Sequence, residues 1–182
     1  ARKRYESEEA YIMAEEQIKF TEDELKSHGV FPPMNNGSIR IAVALWCSNR
    51  SEAERAYGHI SKWDTSNVTD MTELFKDNTE FNDDISQWNV SQVTNMHSMF
   101  RGAVAFNQAI GGWNVSRVTN MEGMFRDAAA FNQTIGEWNV SQVTNMHSMF
   151  RGAVAFNQDI GGWNVFQVTT MDSMFTDAAA FN

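Results

Sequence analysis

The residues in this 182-residue chain that could do chemistry are few and spaced apart. His97 and His147 stand fifty positions from each other, and His28 and His59 lie elsewhere, so no set of histidines has zinc-ligand spacing. Asp83, Asp84, Asp159 and Asp177 fall in stretches that read as turns, where solvated carboxylates are the ordinary case. No serine, histidine and aspartate set and no glycine-rich phosphate loop can be assembled. These absences predict a non-catalytic protein without metal or cofactor. Cys47 is the single cysteine, which rules out an intrachain disulfide and reads as a buried free thiol.

What recurs is better suited to binding than to turnover. Trp63, Trp88, Trp113, Trp138 and Trp163 repeat every 25 residues, with Val at +5 and Phe at +12 each time. An aromatic row can stack on sugar rings, but the Trp shares its periodic face with Ile at −3 and, in the four units from Trp88 on, Val at +2. That assigns the five tryptophans to the structural core, where each indole N–H needs an acceptor. Asn89, Asn114, Asn139 and Asn164, following the Trp in four units, read as outward positions about 4.8 Å apart and become candidate partner contacts. Stacked amides that bond one another are the simpler account of them. Asn89, Asn114 and Asn139 also head Asn-Val-Ser sequons, too closely spaced for glycans on adjacent units. Thr69, Thr94, Thr119, Thr144 and Thr169 form a second row that suits helix capping better than contact with an ordered surface. Phe166 stands where other units carry Ser91, Ser116 and Ser141 and joins the candidate contacts.

These positions need elements to hold them. Ile110-Gly-Gly-Trp113-Asn-Val115 has the spacing of a leucine-rich repeat, with Trp113 and Val115 inward on a short strand. Met121, Met124, Phe125, Ala128 and Phe131 fall at helical spacing and predict about two turns of helix. Asp70 and Glu73 have capping-box separation, and Phe-Asn closes each unit by a local asparagine turn. The expectation is an α/β repeat solenoid: a leucine-rich-repeat-like stack of short parallel strands and short helices with an N-terminal helical cap. Residues 1–57 form the helical segment and cap, and 58–182 the five 25-residue repeats. The stretch Trp88–Gln108 recurs unchanged as Trp138–Gln158, so a 50-residue block overlies the shorter period.

The phrase W-x-V-S-x-V-T-x-M-x-x-M-F followed by F-N-x-x-I, complete from Trp88 and Trp138, resembles the BspA-like leucine-rich-repeat surface proteins. Those include the mycoplasma-lipoprotein-type 25-residue repeat of unknown function. The resemblance implies a cell-surface, adhesive role with a polysaccharide or host ligand. An organellar or other intracellular site stays open.

In the first 57 residues, Tyr5–Phe20 predicts an amphipathic helix that packs on the cap or docks against a partner. Glu22–Ser27 predicts a second helix, capped by Thr21, and Ser38 caps an apolar segment, Ile39–Trp46, in which Ile41, Val43, Leu45 and Trp46 cover the stack's end. A Ser51–Tyr57 helix follows. The net charge of −9 argues against nucleic acid as partner, and no run of 18 apolar residues predicts a membrane span. The composite expectation is a protein-interaction or structural assembly module presenting a long surface to a protein partner within a larger assembly.

Overall fold

A computed structural model describes residues 22–182, so the Tyr5–Phe20 helix and the Thr21 cap lie outside the described residues. Three helices come first: α1 at Glu22–Ser27, α2 at Asn36–Ser48 and α3 at Arg50–Tyr57. A single 3-10 turn, Ile60–Lys62, leads into the repeats. Asn35, not Ser38, caps α2. Its side chain accepts from the Gly37 and Ser38 N–H groups, while the Ser38 hydroxyl accepts from the Asn35 N–H. Asn49 caps α3 through the Glu52 N–H, two residues before the Ser51 start that the sequence suggests.

Beyond residue 62 the expected architecture is overturned. Among the described residues there is no strand and no sheet, and the repeats hold no helix, so the chain is not an α/β solenoid of parallel strands with leucine-rich-repeat geometry. Each unit is coil and turn, and parallel pairing is limited to isolated bridges joining Asp70, Asn95, Asn120, Asn145 and Thr170 in succession. The bridges fall seven residues after the Trp, not on the Trp-x-Val segment.

The reason lies in how the Met-x-x-Met-Phe stretch satisfies its amides. Met71, Glu73, Phe75 and Asp77 donate to the carbonyls of Asn95, His97, Met99 and Arg101 in the next unit. The residues between them turn inward: Leu74, Lys76 and Asn78 donate to carbonyls three residues back, and Thr72 donates to the Asp70 carboxylate. An α-helix would need every amide to bond four residues back. A strand would need extended residues throughout, yet Glu73 and Asp77 have φ of 56° and 59°. The same two positions are left-handed in every unit, as Ser98 and Gly102, Gly123 and Asp127, Ser148 and Gly152, Ser173 and Asp177. Glu73 and Asp77 are each the third residue of a turn, closed by Leu74 on Met71 and by Asn78 on Phe75, where a type II turn requires positive φ.

Successive units therefore sit in 25-residue register, and their apolar side chains form one continuous core from Met34 to Met174. Phe75, Phe100, Phe125, Phe150 and Phe175 stack with centroids 5.5 to 5.6 Å apart. A second column, Phe81, Phe106, Phe131, Phe156 and Phe181, runs beside it at 5.8 to 6.0 Å. Parallel, offset rings at this spacing add about 0.5–1.5 kcal/mol per pair beyond area burial.

At the N-terminal end α2 takes the place of a preceding unit. Ile39, Ala42, Val43 and Trp46 are buried, whereas Ile41, expected to help cover the stack, is 64 % exposed because it lies on the opposite face of α2. Asn36 reproduces the missing main chain: its side-chain oxygen accepts from the Thr69 and Asp70 amides and its nitrogen donates to the Thr69 hydroxyl. Arg40 donates to the Thr72 carbonyl at 2.6 Å and lies 3.5 Å from the Asp70 carboxylate. The Trp46 indole donates to Asp83, which also pairs with Arg50 at 2.6 Å.

Burial pushes the Asp70 carboxyl up, but hydrogen bonds from Thr72 and the neighbouring Arg40 outweigh this and hold it below its ordinary value. The Lys76 ammonium lowers Glu73, and the backbone and hydroxyl of Ser86 lower Asp84. A depressed folded-state value contributes stability that is complete above the unfolded value and is lost as pH falls through the folded one. The melting temperature should thus be level above about pH 5 and fall below about pH 4. Asp70→Asn should flatten part of that fall in a thermal melt followed by circular dichroism.

Candidate functional site

The tryptophans face the interior. Trp63, Trp88, Trp113, Trp138 and Trp163 are at most 8 % exposed. From Trp88 onward each indole N–H donates to the carbonyl of the Ile 28 residues earlier, Ile60, Ile85, Ile110 and Ile135, at 2.9 to 3.2 Å. The acceptor belongs to the preceding unit, so each Trp is both core and tie. No tryptophan of the repeats offers a face to a ligand.

The outward row Asn89, Asn114, Asn139 and Asn164 is exposed, and its oxygens do not bond along the row. Each accepts the amide two residues ahead, from Ser91, Ser116, Ser141 and Phe166, at 3.1 to 3.2 Å. This local turn explains why no strand forms there. It also leaves the four side-chain NH2 groups facing solvent, a row of donors one unit apart.

The asparagine ladder runs instead through the Phe-Asn pair. The side-chain oxygens of Asn82, Asn107, Asn132 and Asn157 accept the amides of Asn107, Asn132, Asn157 and Asn182 at 2.9 to 3.2 Å. Gln108, Gln133 and Gln158 donate to the same asparagines. Sequence reasoning took this Asn as a local turn. Its invariance next to a Gln in three units was the signal for a ladder.

The threonine row also changes meaning, since there is no helix for it to cap. Thr94, Thr119, Thr144 and Thr169 each donate both amide and hydroxyl to the carbonyl of the Thr 25 residues before. These hydroxyls are exposed but already committed.

Three features are left for contact. Phe166 is 89 % exposed, with Val165 and Met171 at 39 % each in the same unit. A shallow open groove of about 430 Å³ lies between α2 and the first unit, lined by Arg40, Val43, Cys47, Glu73 and Asn78 among others. Cys47, read as buried, is exposed on α2. Burial of part of its side chain and the charge of Asp83 nonetheless push its thiol up, against Arg50, which makes it a poor nucleophile. Among the described residues there is no group of three or more metal-ligating side chains, and no helix is long and apolar enough to cross a membrane.

A coil-built, register-stacked array of 25-residue units is the class of protein that these contacts define. Within it, residues 48–138 and 108–182 match the family described as "Mycoplasma protein of unknown function, DUF285", and the chain belongs to that family. No curated protein and no solved structure matches it.

The two asparagine rows should respond differently to truncation. Asn107→Ala leaves the Asn132 amide without its acceptor and takes one of the two acceptors from the Gln133 side chain, which keeps the Asn107 carbonyl, and should cost about 1–3 kcal/mol. Asn114→Ala removes one exposed local bond and should cost well under about 1 kcal/mol. Urea denaturation of both variants measures the contrast.

Proposed function

We propose that this protein is a non-catalytic interaction or assembly module whose rigid array presents a surface to a protein partner. The observation that carries the reading is Phe166. It is 89 % exposed where the four other units place Ser66, Ser91, Ser116 and Ser141, and its chain neighbour Val165 is 39 % exposed beside it. Aromatic side chains standing free at a surface are the usual anchors of protein interfaces, and a few of them supply most of the binding energy. The rows of Asn164 and Asn139 next to this patch add donors that would form its polar rim.

The second reading is a cell-surface adhesin of the BspA-like kind holding a polysaccharide or host ligand. The outward NH2 groups of Asn89, Asn114, Asn139 and Asn164 favour it, since they repeat at one-unit spacing along the array. Sugar stacking has no part in it, because the tryptophans of the repeats are buried.

Affinity enrichment from native extract with the whole chain as bait, beside its Phe166→Ser variant and a parallel glycan array, separates the two. One defined protein retained by the chain and weakened at least about tenfold by Phe166→Ser supports the interaction module. Glycan binding that survives Phe166→Ser and is lost on replacing the outward asparagines supports the adhesin.

A further inference from the structure

One column of side chains along the array belongs to neither the Phe166 patch nor the asparagine rows. Lys76, Arg101, Arg126 and Arg151 recur at 25-residue spacing, and Thr176 ends the series. Each closes the same turn, its amide donating to the carbonyl three residues back at 3.0 to 3.1 Å. The carbonyls of Arg101, Arg126 and Arg151 in turn accept amides of the unit before, so register sets these cations one above another. The step is that of the adjoining Phe75, Phe100, Phe125 and Phe150, whose rings lie 5.5 to 5.6 Å apart. Like charges directly opposed on neighbouring chain segments are destabilising. Nothing in the packing of the core requires four of them in one column.

The column alternates in how its charge is met. Lys76 bonds Glu73 at 2.8 Å, and the Arg126 Nε lies 3.4 Å from the Asp127 carboxylate, an ion pair without an aligned hydrogen bond. The guanidiniums of Arg101 and Arg151 have no ion-pair or hydrogen-bond partner among the described residues. The reason is local sequence: 95–104 and 145–154, the stretches that carry them, hold no carboxylate. Glu122, between them along the array, is engaged by Asn145 at 2.9 Å and stands 3.9 Å from His97. Asp77 and Asp127 lean over Gly102 and Gly152, yet neither comes within ion-pair distance of the arginine beside that glycine.

Two unpaired guanidiniums two units apart, with a neutralised one between, are a template for an anionic polymer charged at every second residue. Guanidinium forks take carboxylates bidentately, and such bonds are stronger than those to neutral acceptors. The stack holds the two forks at a fixed interval. A stiff backbone with charges at one interval meets them at little entropic cost, whereas a flexible acidic peptide must first be ordered. A polymer charged at every residue, nucleic acid included, would press anions against Asp127, whose side chain is 55 % exposed.

We propose that Arg101 and Arg151 form a binding site for a linear acidic polysaccharide with a carboxylate on alternate sugars, laid along the array. Successive carboxylates seat on the two guanidiniums. The uncharged sugar between them passes over Arg126, whose charge Asp127 already meets. The site rests on the polysaccharide reading for its class of ligand, but not on the asparagine row.

The test measures binding of the full chain to hyaluronan oligosaccharides, which carry a carboxylate on alternate sugars, by titration calorimetry at low and at physiological salt. Binding should weaken at the higher salt. It should fall at least about tenfold in Arg101→Gln and in Arg151→Gln, and vanish in the double variant. Arg101→Lys should recover little of it, because an ammonium offers no fork. Thermal melts of the unliganded variants should show no loss of stability, since each glutamine relieves the like-charge column. Asn114→Ala, Asn139→Ala and Phe166→Ser should leave hyaluronan binding unchanged. No binding of hyaluronan, or binding indifferent to the double substitution, would overturn the proposal. So would equal affinity for poly-glutamate, which assigns the column to an acidic peptide. If neutral glycans bind through the asparagines while hyaluronan does not, the adhesin reading stands and this site falls.

Discussion

Everything in this fold depends on one constraint: half of the amides in the Met-x-x-Met-Phe stretch can be satisfied only by carbonyls 24 residues ahead, in the next unit. A buried amide left unpaired costs on the order of 1–3 kcal/mol, and each inner boundary carries four of these bonds in one direction. That fixes register to the residue. Once register is fixed, rings of the same kind must lie over one another, and the two Phe columns and the Trp-to-Ile ties follow as consequences. The order of cause runs from the main chain to the core.

The same constraint explains the ends. α2 is no repeat, yet it meets the first unit by imitation, with the Asn36 amide in the role of a peptide group and the Arg40 guanidinium on a carbonyl that would otherwise face no donor. Capping by imitation is demanding chemistry, and it is why Trp46, Arg50 and Asp83 form a further clamp across the same junction. The glycan-binding and protein-binding readings of the array then differ in a simple physical respect. One uses side chains that repeat, and the other uses the positions where repetition is broken.

The 25-residue period, the identity of the residues that recur and the extra 50-residue block are all plain in the sequence, because stacking in register demands like on like. Secondary structure was legible before the repeats, where the Glu22–Ser27 helix and the helix end at Tyr57 stand as read, but not within them. The spacing of Met121, Met124 and Phe125 suits a helix, and it suits a run of three-residue turns equally. The positions that decide between them are left-handed in every unit but hold glycine only as Gly102, Gly123 and Gly152, and Glu73, Ser98 and Asp77 at positive φ give no signal of their conformation. Trp113-Asn-Val115 alternates as a strand would, but the Asn114 oxygen bonds to the Ser116 amide and turns the chain. The exposure of Phe166 accords with its place in the pattern, being the one aromatic at a position otherwise held by Ser. The Asn82 ladder was hidden because an Asn beside a turn is so often satisfied locally.

Asp77, Asp127 and Asp177 mark the odd units (58–82, 108–132, 158–182) and Gly102 and Gly152 the even ones (83–107, 133–157), and if the structural repeat is this odd-even pair, deletion length and stability should part company. Removing residues 83–132 joins an odd unit to an even one, whereas removing residues 83–107 joins odd to odd while keeping 25 more residues. Urea denaturation of the two deletion variants tests this directly. The account predicts that the shorter protein, lacking residues 83–132, unfolds at the higher urea midpoint. A higher midpoint for the protein lacking only 83–107, in proportion to its extra unit, would contradict it.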